Sequence, residues 1–196
     1  AEAAAITPTG MTAVLGGDRD EVLAALAAHG LTPANDNGPG QIVAAGTMPQ
    51  LEALAAAPPA KARIIPLSVA GAFHTVHMAP AVSSLAALAA GLAPADPATP
   101  VLSNRDGAAV HSGADLLDRL VGQIANPVRW DLCMTAMLTA GVTGVLELVP
   151  GGTLTGIARR AMKGVATFAL KTPDQLDEAR AFCTEHSAAP ADGDNA

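Results

Sequence analysis

The stretch Ala70-Gly71-Ala72-Phe73-His74-Thr75-Val76-His77-Met78-Ala79-Pro80 divides the chain into two halves of different rhythm. Before it, short apolar runs and helical periods follow one another closely. After it, helices dominate and the strands between them are short. It is also the one place where a histidine lies between a β-type run and a helix opening. A loop there can present His74 to a substrate.

Upstream, Met11 to Leu15 reads as a strand that stops at Gly16-Gly17. Asp18 is a good N-cap, and Glu21 follows at capping-box spacing. Val22, Leu23, Leu26 and Ala27 then recur with a helical period up to Gly30, a glycine suited to close a helix. Leu31 to Ala34 is a second strand, and Asn35 to Gly40 is dense in turn formers. Gln41 to Ala45 is a third strand. Thr47 caps a second helix that has Pro49 in its first turn and Leu51 and Leu54 on its apolar face. Pro58-Pro59 ends that helix, and Arg63 to Val69 is a fourth strand. Residues 10–69 therefore read β-α-β-β-α-β, the ferredoxin-like pattern, in which two helices cover one face of a small antiparallel sheet. Residues 1–9 carry no clear period and lead into it.

Downstream, Met78 to Leu92 has a helical period with Val82, Leu85, Ala89 and Leu92 on one face. Pro94 to Pro100 is a linker, and Val101 to Asn104 a short strand. A helix starts at Ser112 or Asp115, with Leu116, Leu117, Leu120, Val121 and Ile124 as its apolar set, and Asn126-Pro127 breaks it. Val128 to Ala140 reads as a further helix and Val145 to Val149 as a strand. Thr153 caps a helix to Met162, Ala166 to Leu170 is a strand, and Thr172 caps a last helix to about His186. The tail over 187–196 is polar and expected to be disordered. Three short strands alternating with helices imply part of a parallel α/β sheet whose central portion is missing. The start at Ala1, in mid-pattern, points the same way.

Half of the 196 residues are apolar, yet only 2% are aromatic, so the core must be built from closely packed Ala, Leu and Val. A net charge of −7 without a basic stripe sets nucleic-acid binding aside. Cys133 and Cys183 lie far apart in helical patterns and read as buried free thiols of a cytoplasmic protein. No apolar run reaches the length of a membrane span, and the N-terminus lacks the basic and apolar regions of a signal peptide.

A histidine that acts as a base needs a partner fixing its tautomer and access to a substrate. His74, at a strand end in a loop rich in Gly and Ala, meets the second condition; a hydrogen-bonded structural histidine is the plainer reading. His77 follows at a spacing that could ligate a metal, but no nearby Cys, Asp or Glu supplies a third ligand, so no metal is expected. His29 and His186 lie near helix C-termini and His111 in a turn. None of the serines at 68, 83, 84, 103, 112 and 187 sits in a G-x-S-x-G elbow. If His74 is a base, its nucleophile lies outside this chain. Pro150 to Gly156 is a glycine-rich turn into a helix that matches no phosphate-binding fingerprint. Arg159, Arg160 and Lys163 on that helix form either a solvated face or a docking patch for an acidic partner.

Several segments, in their order and spacing, carry a resemblance. They are Pro8-Thr9-Gly10-Met11, Asn35 to Gly46, Ala72-Phe73-His74-Thr75 with Met78-Ala79-Pro80, Leu102-Ser103-Asn104, Gln123 to Trp130, and Glu147 to Gly156. From about Ala1 to about Cys183 the chain resembles the C-terminal portion of malonyl-CoA:acyl carrier protein transacylases of the actinobacterial type. The resemblance implies an α/β-hydrolase-like large domain interrupted by a ferredoxin-like small one. Residues 1–9 would lead in from the large domain, 10–69 form the small one, and 70–186 supply the C-terminal part of the large one.

In such enzymes a serine attacks the malonyl thioester, a histidine takes its proton, and the acyl group passes to the phosphopantetheine thiol of the carrier protein. The histidine matches His74, and the backbone carbonyl that orients it matches Gln123. Phe73 would exclude an α-methyl branch, as an Ala-Phe-His sequence does in related polyketide acyltransferases. Asn35 and Asn37 would line the cleft. Malonyl-CoA is then substrate, acyl carrier protein partner, and no cofactor is implied. The family's G-Q-G segment, G-H-S-x-G elbow and malonyl-binding arginine would all lie upstream of Ala1, so the chain alone is expected to be inactive. Two alternatives stand beside this reading: a non-catalytic ferredoxin-like module that binds a carrier protein or ligand, and an acyltransferase domain cut from a polyketide or fatty-acid megasynthase. The short polar tail favours a free-standing protein over the latter.

Overall fold

A two-sided sheet organises the first part of the molecule. The computed structural model describes residue 3 and residues 6–187; the tail expected over 187–196 lies, beyond Ser187, outside the described residues. Strands β1 (Thr9–Gly16), β2 (Thr32–Asp36), β3 (Gln41–Thr47) and β4 (Ala62–Pro66) stand in the order β4-β1-β3-β2. Each of these neighbours is antiparallel, with Val14 opposite Ile42 and Ile64. Alternation along the strands gives the sheet two apolar faces. Val14, Ile42 and Ala44 share one face with Val22 and Leu26 of helix α1 (Arg19–Ala28) and Leu51 and Leu54 of α2 (Met48–Ala56). Met11, Val43 and Ala45 form the opposite face, where they meet Ala34 and Ala72. That second contact brings the loop carrying His74 against the sheet.

The helices start where the sequence marks them. Asp18 Oδ1 accepts from the N–H groups of Asp20 and Glu21, at 3.0 and 3.2 Å, and Gly30, at φ 67°, follows the end of α1. No return bond from the Glu21 side chain occurs among the described residues. The reciprocal arrangement is found at α2, where Gln50 Oε1 accepts from both the N–H and the hydroxyl of Thr47, at 2.8 and 2.9 Å.

Beyond the loop come a 3₁₀ turn (Val76–Met78), α3 (Ala79–Ala89), β5 (Val101–Leu102), β6 (Ala109–Val110), α4 (Gly113–Gly122), a second 3₁₀ turn (Gln123–Ala125), β7 (Val128–Arg129) and α5 (Trp130–Thr139). The last four are β8 (Gly144–Glu147), α6 (Thr153–Ala161), β9 (Ala166–Ala169) and α7 (Leu176–His186), the last preceded by a 3₁₀ turn at Pro173–Gln175. The chain divides into two compact units between Ala136 and Met137.

Three expectations are corrected in the first unit. Val128 and Arg129 do not open a helix: they pair in parallel with Asn35 and Asp36, and the helix begins at Trp130. Pro127 lacks an N–H, and the free edge of β2 offers backbone partners that no local period could reveal. The sheet is consequently five-stranded and mixed rather than small and antiparallel. Val101–Leu102 joins no parallel sheet; the Gly107 N–H donates to the Ser103 carbonyl at 2.7 Å, turning the chain back so that β6 pairs with β5 antiparallel.

In the second unit β8 and β9 run parallel with α6 as their crossover. Thr153 does not cap α6, as the sequence suggested. Gly152 occupies the cap at φ 129°, and the Glu147 side chain supplies the acceptors. The N–H groups of Gly152, Leu154 and Thr155 and the Thr155 hydroxyl donate to its carboxylate, at 2.7 to 2.9 Å. On α7, Phe182 lies between Phe168 and His186, with ring centroids at 5.7 and 4.5 Å, and His186 Nδ1 is 3.1 Å from the Thr143 hydroxyl. Cys183 is exposed, contrary to expectation, because it occupies the outer side of the same helix.

Leu54 is fully buried. Leu54→Ala is expected to lower stability by about 2–5 kcal/mol, read from the shift of the urea midpoint at constant slope. Burial alone would raise the Glu147 pKa; the hydrogen bonds to its charged form, led by the Thr155 N–H, outweigh burial and hold it at about 2. Because that value lies below the ordinary 4.5, the stabilisation is full above pH 4.5 and is lost as pH falls toward 2. Glu147→Gln should cost about 1 kcal/mol at pH 7, like the loss of a helix cap, and the gap to the wild type should narrow from pH 4.5 downward. Parallel urea titrations at pH 7, 4 and 2.5 check this.

Candidate active site

His74 lies at the turn between β4 and α3, and two segments determine its surroundings. The loop from Gly71 to Thr75 rests on the sheet through Ala72, which is fully buried and whose N–H donates to the Thr9 hydroxyl of β1 at 3.0 Å. The second segment is the 3₁₀ turn Gln123–Ala125. Its formation follows from Pro127, which stops α4 from continuing and draws the last carbonyls of the helix into a tighter turn.

These two segments meet at His74. Its N–H donates to the Ile124 carbonyl at 3.2 Å, and its Nδ1 is 2.8 Å from the Gln123 carbonyl oxygen. A carbonyl oxygen only accepts, so Nδ1 carries the proton and Nε2 of the neutral ring holds the free lone pair. The ring is half-buried. Its backbone stands at φ 61°, in the left-handed region that a histidine seldom occupies without outside support.

The other expected residues make contacts of their own. Phe73 directs its ring toward solvent, at 38% exposure, and its N–H donates to the Gly71 carbonyl at 3.1 Å. Asn35 sits on β2 between Val43 and Val128, and the Asn37 N–H donates to the Gln41 carbonyl at 3.0 Å. Both asparagines are half-buried, and among the described residues no hydrogen bond joins either to His74 or Phe73. The turn that holds them is anchored by Asp36. Its buried carboxylate accepts from Arg19 Nη2 at 2.6 Å, from Arg19 Nε at 3.2 Å and from the Gly38 N–H at 3.1 Å.

Gln123 is also one of the residues lining a cavity of about 930 Å³. Arg19, Asp36, Arg105, Arg119 and Arg129 line it, and His74, Phe73, Asn35 and Asn37 do not. Its arginines are committed to carboxylates: Arg129 grips Asp131 in a fork at 2.7 and 2.8 Å, and Arg119 binds Asp106 and Asp115. Burial pushes the Cys133 thiol up to about 11, with Asp131 adding to the effect, so this cysteine is an inert core residue. Among the described residues no group of three His, Cys, Asp or Glu side chains could hold a metal, and no helix is long and apolar enough to cross a membrane.

Thr75 and Thr9, present in the resembling segments but with no role assigned from sequence, prove central to the loop. Thr75 is buried, donates to the Ala72 carbonyl at 2.7 Å and accepts from the His77 N–H at 3.2 Å. Its signal was present as a threonine three residues before Met78 and five before Pro80, an N-cap spacing for a helical turn.

No protein-family model matches the chain. It is 55% identical over 178 residues to the malonyl CoA-acyl carrier protein transacylase of Mycobacterium tuberculosis, covering 91% of this chain and 59% of that protein. The crystal structure of MCAT from Mycobacterium tuberculosis superposes with a TM-score of 0.87 at 55% identity, over 90% of this chain and 59% of the other. A malonyl-transacylase solved in complex with its type II PKS acyl-carrier protein gives 0.82 at 30% identity, over 91% and 60%. The chain thus spans about three fifths of the length of the relatives it matches, and over that span it is similar in sequence and in α/β fold to the malonyl CoA-acyl carrier protein transacylases.

Proposed function

We propose that this chain is the histidine-bearing, C-terminal part of a malonyl-CoA:acyl carrier protein transacylase of fatty-acid biosynthesis, working in the cytoplasm with a serine that lies outside it. The observation that carries the reading is the 2.8 Å contact between His74 Nδ1 and the Gln123 carbonyl. It leaves Nε2 as the base.

The serine hydroxyl gives its proton to Nε2 as its oxygen attacks the malonyl thioester. The imidazolium returns that proton to the departing thiolate of coenzyme A, leaving a malonyl-serine ester. The phosphopantetheine thiol of acyl carrier protein then gives its proton to Nε2, attacks the ester and takes the malonyl group, and the proton returns to the serine oxygen. The Gln123 carbonyl does the tautomer-fixing work of a triad aspartate, without a full charge to stabilise the imidazolium. The scheme calls for no cofactor.

In this reading residues 10–69 are a ferredoxin-like subdomain, supported by the strand order β4-β1-β3-β2 with both helices on one face. Residues 1–9 lead into it, and 70–186 belong to an α/β-hydrolase-like large domain. Phe73 would stand beside the acyl group, and Asn35 and Asn37 would line the cleft. Arg159, Arg160 and Lys163, together on α6 and just after it, suit an acidic carrier surface.

The purified chain alone is expected to move no malonyl group from malonyl-CoA to holo-acyl carrier protein. The chain extended by the nucleophile-bearing segment of its Mycobacterium tuberculosis relative should do so, and His74→Ala in that protein should lose about 10²–10⁴-fold in rate. Turnover by the isolated chain would sink the proposal. In the extended protein, Phe73→Ser should raise the rate with methylmalonyl-CoA relative to malonyl-CoA by about 10-fold or more, the worth of excluding one methyl group. An unchanged ratio removes Phe73 from substrate selection.

A further inference from the structure

We propose that Thr75 is the positioning residue that sets the tautomer and aim of His74, through a hydroxyl that closes the loop around it. The proposal depends on the transacylase reading only for its kinetic consequence; the geometry stands without it.

His74 and Lys61 are the two non-glycine residues with positive φ among those described. A histidine at φ 61° relaxes toward the ordinary regions unless its neighbours hold it. The Ile124 carbonyl grips its N–H, but that bond alone leaves the loop free to turn about it.

The Thr75 hydroxyl removes that freedom. It donates back to the Ala72 carbonyl at 2.7 Å and accepts forward from the His77 N–H at 3.2 Å. One oxygen therefore ties the residue before Phe73-His74 to the turn after them. On the other side of the same residue, the Ala72 N–H is held by Thr9 on β1, so the ring of hydrogen bonds is fixed to the sheet. Thr75 is 1% exposed and Ala72 is fully buried, so water cannot replace the hydroxyl at the Ala72 carbonyl. Within this frame the His74 backbone stands at φ 61°, and Nδ1 meets the Gln123 carbonyl.

Valine has the shape of threonine without the hydroxyl. At position 75 it leaves the buried Ala72 carbonyl unpaired and the half-buried His77 N–H without this acceptor, and the loop relieves them by rotating. Serine keeps the oxygen. Thr12 provides a control: its hydroxyl is buried on β1, at 2% exposure, with no hydrogen-bond partner among the described residues.

The first readout is the ¹H–¹⁵N spectrum of the His74 ring in the labelled chain. The wild type should show the Nδ1–H tautomer with a slowly exchanging Nδ1 proton. Thr75→Val should lose the slow exchange and mix the tautomers, Thr75→Ser should retain both features, and Thr12→Val should match the wild type. In the protein extended by the nucleophile segment, Thr75→Val should lower kcat about 10²-fold at unchanged KM, and Thr75→Ser should recover most of it. Thr75→Val with an unaltered His74 spectrum overturns the proposal. So does Thr75→Ser behaving like Thr75→Val, or Thr12→Val producing the same change. If the extended protein keeps full activity with His74→Ala, the transacylase reading falls while the spectra still decide the role of Thr75.

Discussion

The contact between His74 and the paired carbonyls of Gln123 and Ile124 is the constraint on which the candidate site depends. It joins residues 49 positions apart and has no charge on the acceptor side. A carboxylate in that place would fix the same tautomer and also stabilise the imidazolium. A carbonyl fixes the tautomer alone, so its value lies in geometry: both backbone segments must stay still. The fold accordingly spends its order there. Ala72 is buried against Met11, Val43 and Ala45, Thr9 reaches it from β1, and Pro127 holds the opposite turn in place.

The same logic, in which a side chain satisfies backbone groups left over by a helix end, recurs elsewhere. Asp18 serves α1, Gln50 serves the start of α2, and Glu147 serves α6. Glu147 is the extreme case, since the two oxygens of its buried carboxylate take four hydrogen bonds beneath a turn whose own residues are largely exposed. The N–H groups of Gly152, Leu154 and Thr155 in that glycine-rich turn are therefore taken by the protein's own carboxylate. Asp36 plays a related part at the end of β2, where Arg19 balances its buried charge. That pairing keeps the turn bearing Asn35 and Asn37 in a defined conformation.

The local parts of this architecture were legible in the sequence. The alternation from Met11 to Val69 gave four strands and two helices, each found within a few residues of its expected place, because those elements are set by periodicity, caps and glycine or proline stops. His74 stood out for the same reason, as a histidine in a small-residue loop between two patterned runs. Less was visible after residue 100. Val128–Arg129 is a strand only because β2 has a free edge, and Val101–Leu102 pairs with Ala109–Val110 only because the turn at Gly107 folds back. Two-residue strands carry no period to read.

Taken by itself, the sequence determined which residues had the chemistry: an imidazole in an accessible loop, no serine elbow and no carboxylate partner. It also fixed the local elements, since helical and strand periods are written residue by residue. The tertiary structure alone decided which of those residues meet. It brought the carbonyl of Gln123 to His74, enclosed the Thr75 hydroxyl and made Glu147 a helix cap. The first of these contacts joins groups 49 positions apart; the other two are short-range, but in each the side chain's partner is a backbone group. A backbone carbonyl is present at every residue, so no residue type announces it, and only the folded chain shows which one is used.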